Sequence, residues 1–160
     1  MIFQLIYTSQ ATDITWPWPE ARPETLKNIL EKSRANNQIK GITGALVYVE
    51  GAFLQILEGN ISDVKSLSER IARDDRHAEF KVLIEQEVPE RLFGSWNMAC
   101  IQPSAKEMAD WAQMAGATIS SEIVDTLQKE PGRVADVVTN IVRNVITNYA
   151  GSGPAFRESV

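Results

Sequence analysis

The sequence predicts a single α+β domain, and three observations predict it. Short strand-like runs alternate with two amphipathic helical stretches in the order β-α-β-β-α-β, with one further strand. The strand runs are apolar on both faces, so a sheet built from them needs cover on two sides. The C-terminal third has helical periodicity and can supply the second cover. The order is the split βαβ pattern of ferredoxin-like folds, with two helices on one face and C-terminal helices on the other.

The elements follow in turn. Residues 2–8 read as a first strand, with Phe3, Leu5 and Tyr7 on one face and Ile2 and Ile6 on the other. Residues 10–23 form a long loop, because Trp16-Pro17-Trp18-Pro19 favours extended backbone. A helix starts at about Pro23, where proline suits the first turn. Leu26, Ile29, Leu30 and Ser33 form its inward face, and Asn36 returns to the face of Ile29. Strands at 42–49 and 53–58 are joined by Glu50-Gly51, a hairpin signal. Ser62 is placed to cap a second helix running to about Asp74, with Val64, Leu67 and Ile71 on its buried stripe. Strands at 79–87 and 95–102 complete the sheet. Helices are expected at 104–115, about 119–129 and 132–149, the last with a stripe of Val and Ile from Val134 to Ile146. The tail from Gly151 reads as disordered, which divides the chain into 1–103, 104–150 and 151–160.

Composition narrows the function. With 160 residues, 44% of them hydrophobic and 23% charged, the chain has an ordinary globular make-up and room for one core. A net charge of −5 and the lack of a dense Lys/Arg cluster argue against a nucleic-acid partner. Cys100 is the single cysteine, so no disulfide can close within the chain, and Cys100 with His77 falls short of a zinc site. No apolar run reaches the roughly 18 residues of a membrane span. The N-terminus lacks the positive region of a signal peptide, so the expected location is cytoplasmic.

One residue stands out against the apolar strands. Gln55 lies in the middle of Phe53-Leu54-Gln55-Ile56-Leu57, and an isolated buried amide costs roughly 2–7 kcal/mol. Tyr7 on the first strand also needs a partner for its hydroxyl once buried. Asn36 ends the inward face of the first helix. Three buried polar side chains around one apolar layer mean either a self-satisfied Tyr–Gln–Asn cluster or a flat polar ligand. These facts alone leave both open.

A family resemblance separates them. Tyr7 with Ser9, Ser33-Arg34-Ala35-Asn36-Asn37, Gly41-Ile42-Thr43-Gly44, Gly51-Ala52-Phe53-Leu54-Gln55-Ile56-Leu57-Glu58-Gly59, Asp74-Asp75-Arg76-His77 and Ser95-Trp96-Asn97-Met98 resemble the successive motifs of BLUF domains. The resemblance covers about residues 1–103, in order, and departs from the family in the long loop that holds Trp16 and Trp18. It implies a blue-light photoreceptor, not an enzyme, with a non-covalent flavin between the two helices: FAD, with FMN as the other candidate. It implies further that Asn36 hydrogen-bonds the ring, that Asn37, Ser33, Arg70, Asp74 and His77 make polar contacts, and that Ile29 and Ile71 clamp the ring faces. Gln55 would link the Tyr7 hydroxyl to the flavin, and Trp96 and Met98 would shift as the signal leaves the pocket. The residue types suit that chemistry. A phenol can give up an electron and then a proton, and an amide that rotates or tautomerises reverses its donor and acceptor ends.

Blander readings stand beside these. His77 on its own reads as a surface histidine, Arg70 and Asp74 as a solvated i, i+4 pair, and Cys100, Trp96 and Met98 as core. Trp16 and Trp18 read as a loop lid. A ferredoxin-like hydrolase would need a phosphate-cradling loop and a cation after the first strand, which Ser9-Gln10-Ala11-Thr12-Asp13 does not offer. An RNA-binding module would show aromatic and basic residues on its sheet. A light-independent flavin-binding module is the remaining alternative. No catalytic or DNA-binding domain follows within these residues, so output is expected through a homo-oligomer or an unidentified downstream protein.

Overall fold

The computed structural model describes residues 1–11, 33–49, 52–75, 77–94, 97–102, 106, 144 and 157–158. The strands are β1 (Ile2–Ala11), β2 (Thr43–Val49), β3 (Ala52–Gly59), β4 (His77–Val88), β5 (Ala99–Gln102) and β6 (Arg157–Glu158). Residues 33–40 form helix α1, and Ile61–Ala72 form α2. The sheet order is β4-β1-β3-β2-β5-β6. Its first four strands pair antiparallel in the ferredoxin-like arrangement, and β5 joins β2 in parallel.

Local chemistry explains the junctions. Gly41 ends α1 at φ 63, where glycine carries no Cβ penalty. The Gly41 N–H donates to the Gln38 carbonyl at 3.2 Å and the Ile42 N–H to the Asn37 carbonyl at 2.8 Å, a Schellman closure that turns the chain into β2. Gly44 lets β2 lie close on β3, since a Cβ there would sit 1.9 Å from the Ile56 carbonyl oxygen. At α2 the expected cap moves. Asn60 caps the helix and accepts from the Ser62 N–H at 2.9 Å, while Ser62 lies within the first turn. Asparagine is at least as good a cap as serine, and the chain is already extended at Asn60. The helix stops at Ala72, short of Asp74.

Both sheet faces are buried. Phe3, Leu5, Tyr7, Leu57 and Met98 form one core with Ile42 and with Val64 of α2. Ile6, Ala45, Val47, Leu54 and Ile56 are buried on the opposite face. The helices expected to cover that face fall outside the described residues, apart from Lys106 and Asn144, which are both helical. Strand boundaries differ from the sequence reading. β1 continues to Ala11, because it pairs with β4 as far as His77. β4 spans His77–Val88. β5 begins at Ala99 rather than at 95, so Met98 precedes the strand. The short β6 pairs with β5 inside the 151–160 tail that composition reads as disordered; pairing at an open edge uses backbone groups and needs no apolar sequence.

Candidate functional site

The sheet face toward α2 carries the site. Antiparallel register sets Tyr7 of β1 directly opposite Gln55 of β3, with Leu46 of β2 on the other side of Gln55. Tyr7 and Gln55 are both buried. The Tyr7 hydroxyl donates to Gln55 Oε1. The other end of the amide, Nε2, donates to Met98 Sδ at 3.2 Å. Gln55 therefore accepts from one neighbour and donates to another, a division of roles that suits an amide.

β4 shapes the surroundings of Tyr7. Its register with β1 shifts between Ile6 and Tyr7 and again between Thr8 and Gln10, and Glu79 lies at φ 52. Such irregularities re-aim side chains. Phe80, next to Glu79, packs on the Tyr7 ring with centroids 4.5 Å apart and planes tilted by 31°. Burial pushes the Tyr7 phenol well above the ordinary tyrosine range, and the Asp74 carboxylate adds to the effect. The phenol is thus held neutral, with its proton on the hydrogen bond to Gln55.

Helix α1 grips the chain just ahead of β5. Asn37 is buried, and its Nδ2 donates to the Asn97 carbonyl at 2.8 Å. Arg34 Nε donates to the Met98 carbonyl at 2.9 Å. Asn36, expected to be buried with Tyr7 and Gln55, is exposed instead. Successive helical residues lie about 100° apart, and the more deeply buried of the two is Asn37, which has a carbonyl to bond.

The remaining candidates scatter around this centre. Ile71 is half-buried against the core, Ser33 and Asp74 are half-buried, and Arg70 is exposed. His77 opens β4 and pairs in register with Ala11. Ile29, Trp96, Trp16 and Trp18 lie outside the described residues. Arg34 and Phe80 were missed as site residues. Arg34 was legible only as a motif member, and Phe80 depends on the irregularity in β4. Among the described residues no cluster of His, Cys, Asp or Glu could hold a metal, and no helix is long and apolar enough to cross a membrane.

Known proteins share this fold. Residues 2–99 match the family described as BLUF, sensors of blue-light using FAD. A photoactivated adenylate cyclase subunit alpha from Euglena gracilis is 36% identical over 94 residues, which are 59% of this chain and 9% of that protein. The match thus spans about a tenth of that relative's length. Among solved structures, BlsA in its photo-activated state has a TM-score of 0.70 at 27% identity, covering 89% of this chain and 95% of that one. BlrB, a BLUF protein in its dark state, has a TM-score of 0.63 at 26% identity, covering 89% and 96%. The order of strands and the family match agree, and the chain belongs to the BLUF family of blue-light sensors that bind a flavin.

Proposed function

We propose that this chain is a photoreceptor holding non-covalent FAD on the helix side of the sheet, and that it signals by reversing the Gln55 amide. The observation that carries the reading is the hydrogen-bonded sequence Tyr7 hydroxyl, Gln55 amide, Met98 sulfur. The side chains present fit a flavin. Leu46, next to Gln55, and Ile71 are half-buried apolar surface against the core that holds Tyr7, and the amides of Gln55, Asn37 and Asn36 can meet both the carbonyls and the N–H of such a ring. Ser33, Arg70, Asp74 and His77 are the further polar groups that would hold it, with Ile29 as the second apolar clamp. A bound flavin supplies blue-light absorption and a strongly oxidising excited state.

The chain's own part is to hold and redirect protons. Tyr7 keeps its phenolic proton, because burial disfavours the phenolate, and directs it at Gln55 Oε1. A half-turn of the amide would place Nε2 against the Tyr7 oxygen and Oε1 against Met98 Sδ. Met98 would then lose its donor, since oxygen and sulfur are both acceptors there. That loss gives the rearrangement a route to the segment before β5 and on to residues 104–150. From there a second copy of the chain or a partner protein would read it. Trp96 belongs to the same segment, and a cytoplasmic setting fits the single Cys100.

Light-minus-dark infrared spectra test this reading. The wild-type chain with FAD should show a downshifted flavin carbonyl band, and Gln55→Leu should keep the flavin without that shift. A wild-type shift in the Gln55→Leu variant would remove the amide from the mechanism.

A further inference from the structure

Glu58 is fully buried on β3, three residues beyond Gln55 and on the opposite face of the sheet. A buried acid is costly unless its oxygens are filled with donors, and here they are. Gln4 Nε2 donates to Oε1 at 3.2 Å and Thr43 Oγ1 to Oε2 at 3.1 Å. The main-chain N–H of Leu92 donates to Oε1 at 2.9 Å and that of Phe93 to Oε2 at 3.2 Å. Arg91 reinforces the arrangement, with Nη1 donating to Thr43 Oγ1 at 2.9 Å and to the Glu58 carbonyl at 3.1 Å. Gln86 Nε2 completes a row across β4, β1, β3 and β2 by donating to Gln4 Oε1 at 2.7 Å.

The row fixes a piece of chain that is otherwise irregular. Beyond the four strands, and among the described residues, the Glu58 carboxylate binds the backbone of Leu92 and Phe93. Those residues lie midway along the connection between β4 and β5, and its far end is tied to α1 by Arg34 and Asn37. Met98 Sδ, at that far end, accepts from Gln55. The connection is therefore pinned at its middle and at its far end.

We infer that Glu58 is a positioning residue for the light response: its carboxylate pins the middle of the β4–β5 connection and supplies a restoring force that returns Met98 to Gln55. The inference rests on the roles given above to Tyr7, Gln55 and Met98. Glutamine at this place would set an NH2 against backbone N–H donors and release the connection while leaving the Tyr7 face intact.

The test uses the full chain loaded with FAD, as wild type and as Glu58→Gln, each also in a Met98→Leu background. Light-induced absorption change, dark-recovery rate and amide exchange are read for each. Glu58→Gln should keep the flavin and its red shift. Exchange at Leu92 and Phe93 should rise about tenfold or more, as expected when a charge-assisted hydrogen bond is lost. Dark recovery should slow about threefold or more, the scale of coupling between connected residues, and that slowing should vanish in the Met98→Leu background. If Glu58→Gln fails to fold, Arg91→Gln at its half-buried site should show a weaker form of the same pattern, because Arg91 holds Thr43, a donor to the carboxylate. Recovery at the wild-type rate despite faster exchange at Leu92 and Phe93 overturns the inference. So does slowing that persists undiminished with Met98→Leu. A wild-type chain with no red shift would instead sink the photoreceptor reading, a separate and visible failure.

Discussion

Tyr7 and Gln55 were both legible in the sequence, because a phenol and an amide on apolar strands must find partners, while the register that sets them opposite each other belongs to the structure. The burial of Asn37 rather than Asn36 was not legible, because the Asn97 carbonyl that Asn37 bonds is remote in sequence. Tyr7→Phe should retain flavin and lose the red shift, which absorption spectroscopy would show directly. The same variant has a consequence for alkaline stability. The folded-state value of Tyr7 lies above its unfolded value, so its contribution is complete below pH ~10 and is lost as pH rises above that. Denaturant titrations above that pH should therefore show a shallower fall in stability for Tyr7→Phe than for wild type. Gln55→Leu leaves the Tyr7 hydroxyl without its acceptor and should cost about 1–3 kcal/mol in the same assay.

Among the elements, the existence of the first five strands and the two helices followed from periodicity, whereas their ends did not. β1 reaches Ala11 because of its pairing with β4, a contact between residues 66 apart at Ala11 and His77 that no local pattern encodes. The cap of α2 shows a subtler limit, since Asn60 and Ser62 are both good cap residues and only the backbone at Asn60 separates them. Asn60→Ala should therefore destabilise the chain by about 1 kcal/mol, with the loss seen as faster exchange in the first turn of α2. Gly44→Ala should be far worse, at ~3 kcal/mol or more, because the new Cβ would meet the Ile56 carbonyl in the strand pair that carries Gln55. Thermal melts of the two variants would rank them, and near-equal melting temperatures would contradict this account of the β2–β3 approach.

For the whole molecule, the sequence conveys that both sheet faces need cover, and the burial of Ile6, Val47, Leu54 and Ile56 agrees. What it does not convey is how a change at Gln55 travels. Met98 was expected on a strand and instead lies before one, held at its carbonyl by Arg34. A residue outside the ladder can move without breaking sheet hydrogen bonds, which suits the start of a signal route. Hydrogen exchange in dark and light should show changed protection in residues 95–103 and again within 104–149, together with a change in oligomeric mass or partner binding. A response confined to the neighbourhood of Tyr7 and Gln55 would rule out that route. The most direct measurement of the central claim is the absorption spectrum of the purified chain before and after blue light. The account predicts a yellow protein whose flavin is released on denaturation, and a small red shift of the flavin band that reverses in the dark. A chain that binds no flavin, or whose bound flavin shows no reversible shift, would contradict it.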